Sequence, residues 1–162
     1  MKEASRIREA LEGRRCVSAW LGHGDVLFLG IGDEVLPAPL PGEPRPRPPI
    51  ELETNYAAWS VEGPVPGTWT DSKSEAESTQ LRAAAESLVG ERVIGWELLD
   101  RLALRVKFSG NKVLTVQPWP VSDGVSDAWL LRSRDKHILA VSNDGRMVVV
   151  DEELPIRDWF AE

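Results

Sequence analysis

The chain is poor in the residues that build disulfides and metal centres. Its 162 residues include one cysteine and two histidines. A single cysteine excludes an internal disulfide, and Cys16, beside Val17 in an apolar stretch, is predicted to be a small core residue. Because no CxxC or HExxH spacing occurs, the sequence predicts no metal ion and no other cofactor.

Catalytic motifs are missing as well. The chain has no GxSxG nucleophile motif, and no phosphate-binding fingerprint follows Gly30-Ile31-Gly32. The sequence therefore predicts no enzyme class, and a non-enzymatic role is favoured.

Long apolar runs and an excess of positive charge are also absent. No run approaches the roughly 20 apolar residues of a membrane span, and the N-terminus MKEASRIREA has no apolar signal core. We therefore expect a soluble, cytoplasmic protein without a membrane partner.

The net charge is −7, and an acidic surface repels phosphate backbones, so no nucleic-acid partner is predicted. The acidic excess lies in residues 51–162 and suits a basic protein partner.

An internal repeat is the clearest feature that is present. Two stretches, 11–31 and 88–108, share a pattern at an offset of 77 positions, with Leu11, Gly13, Arg15 and Val17 matching Leu88, Gly90, Arg92 and Ile94. The same offset relates Leu27, Leu29 and Ile31 to Leu104, Val106 and Phe108. Ala58-Trp59 recurs as Ala128-Trp129 at an offset of 70. Such self-similarity predicts a duplicated β unit.

The local patterns predict an α+β fold. Apolar spacing indicates helices over 2–12 and 74–89, the second capped by Ser74, with Gly13 and Gly90 as stops. Candidate strands are 14–21, 25–31, 50–54, 56–61, 91–98, 101–108, 112–117, 127–132, 137–142 and 146–150, and a helical turn is expected over 155–160. Short Gly- and Asn-containing turns between strands predict antiparallel order.

We expect two related units, each a helix plus an antiparallel β-meander, in one compact body with a shared core. The first unit is residues 1–73 and the second is 74–162. Either the units pack two sheets about a pseudo-twofold axis, or they form one continuous sheet.

A proline-rich loop, 37–49, interrupts the first unit. Its prolines lack N–H donors and fix φ, so it is predicted to be an extended, polyproline-like surface segment. It is either a ligand for a proline-recognition groove or a long loop inserted into the first copy.

Four residues of the first unit are candidate binding residues: Trp20, His23, Asp25 and Trp59. His23 lies between two glycines on a hairpin turn, where another molecule can approach closely, and Asp25 could orient it. The alternative is that His23 is structural. The chain has seven tryptophans, of which most are expected in the core and one or two could anchor a partner.

Two segments carry a resemblance. Gly22-His23-Gly24-Asp25-Val26-Leu27-Phe28-Leu29 is similar to a GHG-S-x-LFLE segment of small uncharacterised bacterial proteins. The second unit, with Leu104–Phe108 and Ala128–Leu131, looks like small β-rich domains of unknown function, some of which are encoded beside toxin or defence genes as immunity proteins. The resemblance implies a bacterial origin and a non-enzymatic role.

The leading hypothesis is a protein-binding module, associated with immunity or defence. The alternatives are a small-ligand binder or unrecognised enzyme with a pocket near His23, and a homodimer formed through an edge strand or an exposed tryptophan. The second unit has compact turns throughout, so specialised features are expected in residues 20–60 of the first.

Overall fold

The α+β prediction is confirmed. The structure, a computed structural model, describes residues 2–68, 75–119, 126–134 and 137–151. Within them are two α-helices and two antiparallel sheets. The helices are α1 (Lys2–Leu11) and α2 (Glu75–Glu86). The strands are β1 (Arg15–Leu21), β2 (Leu27–Gly32), β3 (Ile50–Thr54), β4 (Ala57–Glu62), β5 (Gly67–Thr68), β6 (Val93–Leu98), β7 (Leu104–Phe108), β8 (Lys112–Pro118), β9 (Asp127–Ser133), β10 (His137–Ser142) and β11 (Met147–Asp151).

The two halves of the chain exchange strands. The first sheet has the order β1-β2-β3-β9-β10-β11, and the second has the order β5-β4-β8-β7-β6. Each sheet therefore joins a meander from one half to strands from the other, through the antiparallel pairs β3–β9 and β4–β8. Two sheets are present rather than one continuous sheet.

The chain changes sheets at the corner between β3 and β4. Two backbone N–H groups at this corner donate to β9 of the other half, Asn55 to Ala128 O at 2.8 Å and Tyr56 to Asp127 O at 3.2 Å. The corner thus stays hydrogen-bonded to β9 while β4 turns into the second sheet. Both N–H groups of the corner are satisfied even though the corner belongs to no sheet.

The repeat seen in the sequence is a repeat of backbone structure. A 3₁₀ turn, His23–Asp25, joins β1 to β2, and another, Asp100–Leu102, joins β6 to β7 at the same offset of 77 positions. Left-handed φ angles recur in both, 72° and 58° at Gly24 and Asp25, then 59° and 56° at Arg101 and Leu102. The strand predicted over 101–108 consequently begins only at Leu104.

The edge strands β1 and β6 also share a register shift, between Cys16 and Ser18 in one and between Val93 and Gly95 in the other. The equivalent residues Arg15 and Arg92 form an isolated antiparallel bridge. Its neighbouring hydrogen bonds are reciprocal: Cys16 N to Glu91 O at 2.8 Å, and Val93 N to Arg14 O at 2.7 Å. A local twofold axis therefore passes between Arg15 and Arg92.

The helices cover the two open sides between the sheets. α1 contacts β6 and β11, whereas α2 contacts β1 and β5. The predicted apolar side of α1, Ile7, Ala10 and Leu11, is buried in the core shared by both halves. Gly13 follows α1 with φ of 73°, the left-handed conformation that glycine adopts without strain. α2 ends at Glu86 rather than at the predicted residue 89, and turn residues separate it from Gly90, whose φ is 91°. The Ser74 cap and the turn over 155–160 lie outside the described residues.

We predict that neither half folds alone. Fragments 1–73 and 74–162 should each lack a cooperative urea transition, because each meander leaves unpaired strand edges and an uncovered apolar face. Far-UV circular dichroism of each fragment during urea titration, beside the full chain, tests this. Cooperative unfolding of either fragment by itself would contradict it.

Candidate functional site

The largest difference between the halves is the segment that follows the second strand of each. Residues 109–111 make a tight turn between β7 and β8, whereas residues 33–49 separate β2 from β3. We call residues 33–49 the strap. As predicted for 37–49, the strap forms no helix or strand. The second half has no equivalent, so the repeated fold does not require it.

The strap does not project freely, because its end packs on the outer face of the first sheet. Pro48 is buried. A Cβ on Gly30 would lie 2.9 Å from Pro48 Cβ, and one on Gly32 would lie 3.0 Å from Pro49 Cδ. Both glycines are therefore needed for the close approach of the proline rings, which explains the Gly-Ile-Gly sequence of β2 without any phosphate ligand.

Hydrogen bonds fix the strap at both ends. The Leu36 N–H donates to Val17 O on edge strand β1 at 2.9 Å. At the other end, the Arg134 N–H donates to Pro49 O at 2.9 Å, and the Arg134 guanidinium donates to Arg47 O at 2.7 Å. Leu36 thus occupies one acceptor of an edge strand that could otherwise pair with another chain.

Trp20 lies under the middle of the strap. Its ring stacks on Phe28, with centroids 4.1 Å apart and an interplanar angle of 7°. The guanidinium carbon of Arg45 lies over the Trp20 ring, 4.5 Å from its centroid, at cation–π distance. Between strap and β1 is a cavity of about 360 Å³ that Trp20, Pro37 and Arg45 help to line. The proline-rich segment therefore packs on an aromatic surface of its own chain.

The tip of the strap is a defined turn. The Glu43 N–H donates to Leu40 O at 3.0 Å, and Gly42 has φ of 83°. Pro41 and Gly42 hold the two central positions of this turn, where proline presets φ and glycine accepts a positive φ. At its first position, Leu40 is 66 % exposed. A hydrogen-bonded turn thus presents a leucine to solvent.

His23 and Asp25 do not form a base with its orienting acid in this structure. His23 is exposed and does not line the cavity under the strap. The Asp25 carboxylate instead accepts a hydrogen bond from Ser78 Oγ of α2 at 3.3 Å. Gly22 packs closely against Phe28, and a Cβ at position 22 would lie only 2.7 Å from the Phe28 ring.

Trp59 supports this turn from inside the core. It is 2 % exposed, and its indole N–H donates to Asp25 O at 3.0 Å. Its repeat equivalent, Trp129, donates to Leu102 O of the other turn at 2.9 Å. Because the same bond occurs at a turn that contains no histidine, Asp100–Leu102, it belongs to the fold. The repeated Ala-Trp pair, at 58–59 and 128–129, is the sequence feature that marks these two equivalent bonds.

A charged strip crosses the outer face of the first sheet beside the strap. Glu53 on β3 and Arg132 on β9 are 3.5 Å apart. Burial, and then repulsion from Glu53, raises the pKa of Glu51. Burial also raises the pKa of Glu53, although Arg132 opposes this. Sequence reasoning missed the strip because it could not pair β3 with β9.

Cys16 is confirmed as a core residue. It is 0 % exposed. Burial raises the pKa of its thiol to about 12, and the charge of Glu91 adds to the effect. The thiolate, which is the reactive form, is therefore disfavoured.

Across the described ranges, no group of three or more His, Cys, Asp or Glu side chains is arranged to hold a metal ion. Neither described helix has the length and apolar character to cross a membrane.

No protein-family model, curated protein or solved structure matches the chain.

We predict that Trp59→Phe and Trp129→Phe lower the free energy of unfolding by similar amounts, about 1–3 kcal/mol, since each leaves a carbonyl without its donor. Urea unfolding measures both, with Trp96→Phe, at a half-buried position of β6, as the control. A loss of stability in only one of the two variants would contradict this prediction and show that the two tryptophan hydrogen bonds are not equivalent.

We also predict that Glu51→Gln stabilises the protein at pH 7. The pKa of Glu51 is raised above its ordinary 4.5, so the folded state holds this proton more tightly and loses stability as pH rises through the folded pKa. The gain should shrink as pH falls toward 4.5, where the wild-type side chain is increasingly neutral. Thermal unfolding from pH 4 to 8 tests this, with exposed Glu62→Gln as the control; a gain that is independent of pH would contradict it.

Proposed function

We propose that this chain is a non-enzymatic, cytoplasmic protein-binding module, of the immunity or defence-associated kind, and that its partner binds the strap. The observation that carries the proposal is the exposed Leu40 on a hydrogen-bonded turn of a segment that the second half lacks.

The geometry of the strap favours binding for an energetic reason. A loop that is already fixed in its binding conformation loses less entropy on association than a mobile one. The strap is fixed by Leu36 at one end, by Pro48 and Pro49 at the other, and by the contact between Arg45 and Trp20. Trp20 therefore contributes to binding by supporting the strap.

The chemistry of the tip indicates the kind of partner. Leu40 requires an apolar pocket, and exposed Glu43 lies in the same turn. Asp33 and Glu34, at the start of the strap, are also exposed. An apolar pocket with a basic rim complements the leucine and these three carboxylates.

We predict that Leu40→Asp weakens partner binding by about thirtyfold or more, the loss expected of an interface hot spot worth about 2 kcal/mol. The partner is first isolated from the native host with the wild-type protein and then purified for titration calorimetry. Ile94→Asp is the matched control, because Ile94 is also an exposed aliphatic residue, 68 % accessible, on the far edge of the second sheet.

Equal binding by Leu40→Asp and the wild type would overturn the proposal. So would a larger loss in Ile94→Asp, which would move the interface to β6. The alternative of a ligand site at His23 stays a prediction, tested by ligand binding and melting temperature of His23→Ala.

A further inference from the structure

A second cavity is lined by residues of α1 and of the first sheet. It lies between α1 and the inner face of the first sheet, where β3 begins and β9 ends, and its volume is about 220 Å³. Its apolar floor includes Ile50, Leu131 and Leu139. Typical sites for drug-sized ligands measure about 300–1,000 Å³, so a ligand here is smaller.

The rim of this cavity carries an excess of positive charge. Arg6, Glu9 and Arg14 come from α1 and the loop after it, and His137 comes from the start of β10. Two arginines and one carboxylate line this rim, and the ion pairs within the described part of the chain include neither Arg6 nor Arg14. Arg8, on the same helix but outside the cavity, does pair, with Glu12 at 3.4 Å. The cavity therefore combines an apolar floor with guanidinium groups that remain available.

The repeat shows that these arginines are not required by the fold. One offset later, the positions equivalent to Arg6 and Arg14 hold Ala83 and Glu91. Glu91 is paired with Lys112 at 3.2 Å, so charge at that position is neutralised in the second half. The two arginines of the rim are thus a property of the first half alone.

We propose that this cavity binds a small monocarboxylate with a compact apolar body, such as an aromatic or short-chain carboxylic acid. The apolar body packs on Leu131 and Leu139, and the carboxylate is bound by Arg14 and Arg6. Guanidinium groups bind carboxylates through charge-assisted, often paired hydrogen bonds, and this interaction selects an acid over a neutral molecule of equal shape. The site does not depend on the strap or its partner.

The test uses benzoate as the probe. Titration followed by methyl NMR should show saturable shifts at Leu131 and Leu139. Benzamide, which has nearly the same shape without the charge, should bind at least about tenfold more weakly, and acetate, which lacks the ring, should also bind more weakly.

Variants then locate the contact. Arg14→Gln and Arg6→Gln should each weaken benzoate binding, Arg14→Gln by about tenfold or more. Arg82→Gln is the control because it removes an exposed arginine from α2. Val149→Phe, at a lining residue that is 38 % exposed, should block the cavity. Melting temperatures confirm that each variant is folded.

Three outcomes would overturn the proposal: benzamide binding as tightly as benzoate, equal losses in Arg14→Gln and Arg82→Gln, or shifts confined to residues away from the cavity. Failure of benzoate, benzamide and acetate alike to produce saturable shifts would also overturn it. None of these outcomes bears on Leu40 and the strap.

Discussion

Each half of the chain completes the other half's sheet, and the remaining structure depends on this exchange. The joins β3–β9 and β4–β8 place strands from both halves in both sheets. The two buried indoles then fasten the sheets to each other, because Trp59 lies in the second sheet and bonds to a turn of the first, while Trp129 does the reverse. Apolar burial and hydrogen bonding are therefore shared between halves, which favours one cooperative unit over two domains.

The sequence predicted the units of this fold but not how they combine. Turn residues and alternating apolar positions indicated most strands, and the two offsets indicated the repeat. The exchange of strands between the halves could not be predicted in this way, because apolar periodicity shows which face of a strand is buried and not which strand lies beside it. For the same reason the pairing of Glu53 with Arg132 was not predicted. The position of the strap depends on Gly30 and Gly32, whose role is visible only once Pro48 and Pro49 lie above them.

The halves have diverged where the shared core permits it. Both retain the 3₁₀ turn, the shifted register of the edge strand and the tryptophan bond. The strap and the pair Arg6 and Arg14 occur only in the first half, and both border the join between β3 and β9. The proposed protein contact falls within the expected region, 20–60, whereas Arg6 and Arg14 lie before it. The repeat did not indicate these two arginines, because they do not recur in the second half. They became candidate binding residues only when the structure placed them beside a cavity.

Cys16 lies on the seam where the two copies meet. Its backbone donates to Glu91 O and accepts from Gly90 N–H, each at 2.8 Å, so its main chain is bonded to the other half. Its side chain is sealed inside the same seam. Solvent can reach the sulfur once this seam opens, either locally at β1 or by separation of the halves. The rate at which the lone thiol is modified therefore reports how often the seam opens, without any added label.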